Sequence, residues 1–241
     1  MKKLQSFQIT SQLSILAISL LGTATLATAA TVKVPNAAVA QLVPKGWKVL
    51  AVSEGDLNKD QLKDVAMIIE KNKADVVVKN NEGKAIHNHP RQLLVFFKTP
   101  KSYQLMVSNK TIPVAETENS CEQDPLLESS HGVKINKGVL QVDFSYFMAC
   151  GSWEWPRHFY TFRWQQQQFK LIGFDAHSFA RNSGEETSSS YNFSTLKVKK
   201  TTGGNVFEGG KPKSQWESFA DPKKLNLKNI NFNDFYSQFN Y

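Results

Sequence analysis

Alternation of apolar and polar residues with a period of two runs through most of the chain from Lys48 onward, the signature of strands with one buried face. Lys48 to Ser53, Val65 to Glu70, Gln92 to Lys98 and Tyr103 to Ser108 form the first set of runs, the last two joined by Thr99-Pro100-Lys101-Ser102. Val133 to Ile135 and Val139 to Tyr146 flank Asn136-Lys137-Gly138, a hairpin connection whose glycine can take positive φ. Phe159 to Trp164 and Phe169 to Phe174 flank glutamines 165–168, which read as a polar hairpin loop. Tyr191 to Phe193 and Leu196 to Lys199 are weaker candidates. The pattern predicts a mainly β protein, a β-rich α+β chain built as an antiparallel sheet or sandwich.

Helix signals sit at the two ends. Asn36 can cap a short helix over Ala37 to Leu42 that Pro44 and Gly46 end. Phe232, Phe235, Tyr236 and Phe239 recur at i, i+3, i+4 and i+7, one helical face, whereas a strand would need apolar residues at alternate positions. Between the elements, Lys71 to His89 is polar apart from Val76 to Val78 and reads as a loop. Thr201 to Lys213 holds two Gly-Gly pairs and Pro212, which predicts a flexible linker, residues 201–213, to a C-terminal tail docked through Trp216 and the terminal aromatics.

The first residues follow a different rule. Met1-Lys2-Lys3 is basic, Leu13 to Leu21 is apolar, and Ala27-Thr28-Ala29 fits a small-x-small cleavage site. Residues 1–29 are therefore expected to be a signal peptide, with Ala30 starting a single β-rich domain over residues 30–241. The apolar run is too short to span a bilayer, and no other stretch approaches the ~20 residues a transmembrane segment needs. A periplasmic or secreted location follows from the leader: periplasmic where the cell has two membranes, secreted otherwise. The formal charge of +8 falls to +6 once Lys2 and Lys3 leave. The lysines are scattered rather than clustered, and no nucleic-acid partner is expected.

Export also decides how the two cysteines are read. Cys121 and Cys150 are an even pair without metal-ligand spacing, which in an oxidising compartment predicts a disulfide. The string CGSW after Ala149 shares three residues with the papain-type C-G-S-C-W, but Trp153 stands where the nucleophilic cysteine would be. A protease reading is rejected.

The stretch GDLNKDQLKDV, residues 55–65, carries the clearest candidate chemistry. Asp56, Asn58, Asp60 and Asp64 fall at positions 1, 3, 5 and 9 of an oxygen-rich loop, with the Leu62 carbonyl at position 7, an array suited to Ca²⁺. Lys59 and Lys63 occupy intervening positions and should point outward. Gln61 replaces the glycine of the sharp bend, and Met67 replaces the bidentate glutamate of an EF-hand, so a true EF-hand is excluded. The remaining pattern, D-x-N-x-D-x-x-x-D between two strands, resembles the calcium loop of the FG-GAP or VCBS type, here in a single copy. Together with RQLLVFFK, GSWEWPRHFYTFRW and FKLIGFD, the chain resembles a group of exported bacterial proteins of uncharacterised function. The resemblance implies a structural Ca²⁺ and no particular activity.

Other constellations are weaker. Trp153, Trp155, Phe159, Tyr160, Phe162 and Trp164 form the densest aromatic run; Tyr160, Phe162 and Trp164 share one strand face and read as core. Trp153 and Trp155, beside Pro156, are the pair expected to be exposed and to bind ligand, with sugar rings as one possibility. His87 and His89 share a face if extended and could hold a transition metal, though no third ligand is near. Glu116, Glu118, Glu122 and Asp124 could furnish a carboxylate pair for hydrolysis. No nucleophile elbow, H-E-x-x-H or phosphate loop occurs. The expectation is a calcium-stapled envelope protein with a non-enzymatic binding role toward an envelope ligand or protein, and the alternative is a hydrolase of envelope glycan or peptide.

Overall fold

A computed structural model describes residues 32–238 apart from 74, 80–84, 116–120, 128, 130 and 223–224; for 75–79 and 85–88 only the backbone is described. The expected signal peptide lies outside the described residues. Val32–Tyr241 cluster as one compact unit. Thirteen strands among the described residues form two larger antiparallel sheets and one small hairpin.

The first sheet orders β1 (Trp47–Gly55), β2 (Asp64–Lys71), β5 (Arg91–Lys98) and β6 (Tyr103–Asn109) as β1-β2-β5-β6. Its central strands are buried on both faces, and this explains why Val65 to Ile69 is unbroken apolar sequence rather than alternating. Ala66 and Ile68, with Leu93, Val95 and Phe97, face the main core. Val65, Met67 and Ile69, with Leu94 and Phe96, face a second, smaller core covered by the N-terminal segment. There α1 (Ala37–Ala40) inserts Val39, and the Asn36 side chain accepts the Val39 N–H at 3.0 Å, the cap read from the sequence.

The second sheet has seven strands in the order β13-β12-β11-β10-β9-β8-β7. These are β7 (Val133–Asn136), β8 (Val139–Ser145), β9 (Arg157–Gln165), β10 (Gln168–Phe179), β11 (Glu185–Asn192), β12 (Lys197–Asn205) and β13 (Lys213–Ser218). β9 and β10 turn through Gln166 and Gln167, both with positive φ (52° and 58°); such a turn matches the twist of the flanking strands. The sheets meet where β1 approaches β7: the Ile135 N–H donates to Ser53 Oγ at 2.9 Å, and a Cβ on Gly55 would lie 2.5 Å from Ile135 Cγ2. Only glycine fits that approach.

Two segments expected to be loops are strands. Asp75–Lys79 (β3) and Ala85–Asn88 (β4) pair as a hairpin inside the Lys71–His89 stretch. The 201–213 segment is not a linker: β12 runs through it to Asn205, and Thr201 and Thr202 pair with Ser214 and Lys213 of β13. Its glycines serve the turn of a ribbon instead, and Gly203 and Gly210 take positive φ there.

The tail does dock. The Asn109 side-chain amide donates to the Leu227 and Ile230 carbonyls, both at 2.9 Å, and the Phe232 N–H donates to Thr111 Oγ1 at 3.0 Å. Thus anchored, a 3-10 turn (Phe232–Asp234) and α2 (Phe235–Gln238) bury Phe232 and Phe235 in the main core while Tyr236 stays 42% exposed. Phe239 lies outside the described residues. Cys121 and Cys150 form the expected disulfide, with Cα atoms 5.3 Å apart, and so close a long loop ahead of β7 onto the chain after β8.

Candidate functional site

Three cross-strand rows on the core side of the large sheet decide where a site can lie. The first, Val142–Tyr160–Phe174–Tyr191, is fully buried. The second, Phe144–His158–Ala176–Ser189, drops to small side chains on β10 and β11. The third carries hydroxyls at Ser178 and Thr187. The docked tail packs on this face, with Phe232 against Phe144 and Tyr160 and Phe235 against Tyr160 and Phe174. A hollow of about 600 Å³ results, roofed by Phe232, Phe235 and Tyr236.

Polar groups converge on this hollow. His158 Nε2 and the Tyr236 hydroxyl are 3.1 Å apart, and the Tyr146 and His158 ring centres are 5.0 Å apart. Phe232 and Phe235 stand edge-on to Tyr160, at 4.9 and 5.0 Å. Burial lowers the His158 pKa to about 4, so the imidazole is neutral at pH 7. Burial, reinforced by Tyr236, likewise pushes the Tyr146 phenol up; burial with Tyr146 and Tyr236 does the same for Tyr160. The buried Tyr160 hydroxyl has no hydrogen-bond partner among the described residues. Leaving such a group unpaired costs about 1–3 kcal/mol. Among the described residues the hollow is lined by no lysine or arginine, and its carboxylates are Glu122 and Asp234.

The acidic loop curls around its own side chains. Asp56 accepts the N–H groups of Lys59, Asp60 and Gln61 at 2.6, 3.2 and 2.9 Å. Asn58 Oδ1 accepts the Asp60 N–H, and Asp60 Oδ1 accepts the Leu62 N–H. Lys59 and Gln61 both sit at φ 69°, so the bend expected to need glycine forms with Gln61 in the left-handed region, at a strain of roughly 1–2 kcal/mol. Asp64 turns inward instead. It is fully buried, and its two oxygens accept the Leu57 and Lys98 N–H groups at 2.8 and 2.9 Å. Burial raises its pKa against those two hydrogen bonds, and Asp60 adds to the rise. Among the described residues no three His, Cys, Asp or Glu side chains gather as a metal set. The donor set of side-chain oxygens is nonetheless the hard-oxygen chemistry that Ca²⁺ takes.

The two tryptophans part company. Trp153 is 61% exposed, and the Arg181 guanidinium lies over its ring at 5.6 Å and over the Phe147 ring at 4.5 Å. Trp155, expected to be exposed beside it, is half-buried: its indole N–H donates to Ser145 Oγ at 2.7 Å, and its ring packs on Phe147 and Phe179. It borders a smaller hollow of about 380 Å³ with Arg157 and Phe159, while Trp153 borders another near Cys150. The pair therefore presents no shared platform.

Of the remaining candidates, His89 Nδ1 lies 2.8 Å from the Lys71 carbonyl, and the His87 side chain lies outside the described residues. Glu116 and Glu118 also lie outside them. Asp124 is taken up by a buried ion-pair network: Arg91 Nη1 donates to it at 2.7 Å, Arg91 Nε to Glu70 at 2.8 Å, and Lys48 reaches Glu70 at 2.9 Å. Among the described residues no helix is long and apolar enough to cross a membrane. No family model, curated protein or solved structure matches the chain.

Proposed function

We propose that this is an exported, periplasmic or secreted envelope protein that binds a ligand without transforming it, and that the ligand seats in the hollow over Ala176 and Ser189. One observation carries the reading: small and hydroxyl side chains at Ala176, Ser178, Thr187 and Ser189, beside a buried Tyr160 hydroxyl with no hydrogen-bond partner among the described residues, on a face whose adjacent row Val142–Tyr160–Phe174–Tyr191 is fully buried. Core positions that give up packing and hydrogen bonding are expected at sites kept for a ligand. The disulfide suits an oxidising compartment. Among the described residues His158 is hydrogen-bonded to a phenol and not to a carboxylate, which favours binding over base catalysis. The hydrolase alternative would draw on Glu122 and Asp234, the two carboxylates of the lining.

Native mass spectrometry of the protein recovered from an envelope extract tests this. An adduct is expected on the wild type and not on Ala176→Trp, which fills the hollow. No adduct, or the same adduct on both, contradicts the reading.

Ca²⁺ belongs to the same proposal as a staple, not a reagent. Asp56, Asn58, Asp60, the Leu62 carbonyl and Asp64 would hold it, as in the FG-GAP or VCBS-type loop they resemble. Support comes from the loop's curl around the Asp56, Asn58 and Asp60 oxygens; Asp64 spends both of its oxygens on the Leu57 and Lys98 N–H groups. Binding to the folded state alone raises Tm by mass action. We expect Tm to be several degrees higher in millimolar calcium than in EGTA; an unchanged Tm removes the metal.

A further inference from the structure

Resting on the binding reading above, we infer that the ligand is an uncharged saccharide of one or two rings. Three features of the hollow select it. Its lining is partly aromatic: Tyr146 and Tyr236 keep surface against which the apolar face of a sugar ring can lie, over the buried rings of Tyr160, Phe232 and Phe235. Beside Glu122 and Asp234 it offers uncharged polar groups of both kinds: Ser178 and Thr187 hydroxyls that donate and accept, the Tyr160 hydroxyl without a partner among the described residues, and the His158–Tyr236 pair.

Charge provides the third. The lining has no lysine or arginine among the described residues, and its two carboxylates, Glu122 and Asp234, accept hydroxyl protons but repel anions. An anionic ligand would meet no counter-charge and would lose its hydration. A purely apolar ligand would leave the Tyr160 hydroxyl still unpaired. A polyhydroxylated neutral ring satisfies both demands, and about 600 Å³ lies within the range of pockets that enclose molecules of this size.

The test is calorimetric titration of the full-length protein with N,N′-diacetylchitobiose and cellobiose as neutral probes, glucuronic acid as the anionic probe and octanol as the apolar one. We expect a neutral saccharide to bind, Ala176→Trp to abolish that binding, and Tyr236→Phe, which removes one hydroxyl at an exposed position, to weaken it by roughly tenfold. Thermal melts of both variants confirm that they are folded. Binding of glucuronic acid or octanol alone, blocked by Ala176→Trp, overturns the ligand class and leaves the hollow a binding site. Saccharide binding that Ala176→Trp does not touch overturns the inference too, since the site then lies elsewhere. If no probe binds and the wild type also carries no adduct from the envelope extract, the binding reading falls together with it.

Discussion

Replacing Arg91 with alanine is expected to cost about 3–5 kcal/mol of folding stability. Arg91 and Glu70 are each only 6% exposed, and the guanidinium also holds Asp124 and the Pro113 carbonyl, the latter at 2.9 Å. Burial pushes the Asp124 carboxyl up, but its hydrogen bond to Arg91 and the Arg91 charge outweigh this and hold it below the usual carboxylate range. Removing the cation strands Glu70 in the interior with Lys48 as its remaining ion-pair partner among the described residues. It also frees the segment after β6 that carries Pro113, part of the hollow's wall. Urea unfolding measures the loss. The Glu70→Gln/Arg91→Ala pair should lose clearly less than the sum of the single changes, because the second substitution removes the charge the first exposed.

Acid is expected to destabilise the fold through His158. Its pKa is lowered from about 6.5 to about 4 by burial, so the folded state binds fewer protons than the unfolded chain. The associated stability is complete above pH 6.5, declines as pH falls, and is gone below pH 4. The full shift corresponds to about 2–3 kcal/mol once residual solvent contact is allowed for. Other groups titrate in this range, so the informative quantity is a difference. Between pH 7 and pH 4.5 the wild type should lose more stability than His158→Gln, and equal losses would show that the imidazole charges without penalty. Because the partner of His158 is Tyr236, the docked tail should loosen first, seen as faster amide exchange over residues 232–238.

The strands that could be read from the sequence are those whose alternation meets a single buried face. Tyr160 and Phe162 against Phe159, Thr161 and Arg163 sort as expected, and the Asn36 cap is visible because its partner lies three residues away. β13 was not legible, since every residue of Lys213–Ser218 is exposed and no core imposes a pattern on it. The two-sided burial of β2 follows from what packs on each face, which local periodicity does not encode. The hollow was hidden for a related reason. Ala176 and Ser189 are unremarkable in sequence, and only the pairing of β9, β10 and β11 aligns them beside His158 in a row of otherwise large side chains. Tyr236, in turn, reaches His158 across 78 positions of chain. Trp153 and Trp155 drew notice because they are dense in sequence, yet density does not say that Trp155 spends its indole N–H on Ser145.

Tyr160→Phe tests most directly whether this face is kept for a ligand rather than for stability. The change deletes one oxygen from a buried, unpaired position and leaves every ring contact in place. Without ligand, the phenylalanine variant should be more stable than the wild type by roughly 1–3 kcal/mol in urea unfolding, while losing the envelope-derived adduct. A variant that is less stable, or that keeps the adduct unchanged, would mean that the hydroxyl serves the fold and that the hollow is not the site.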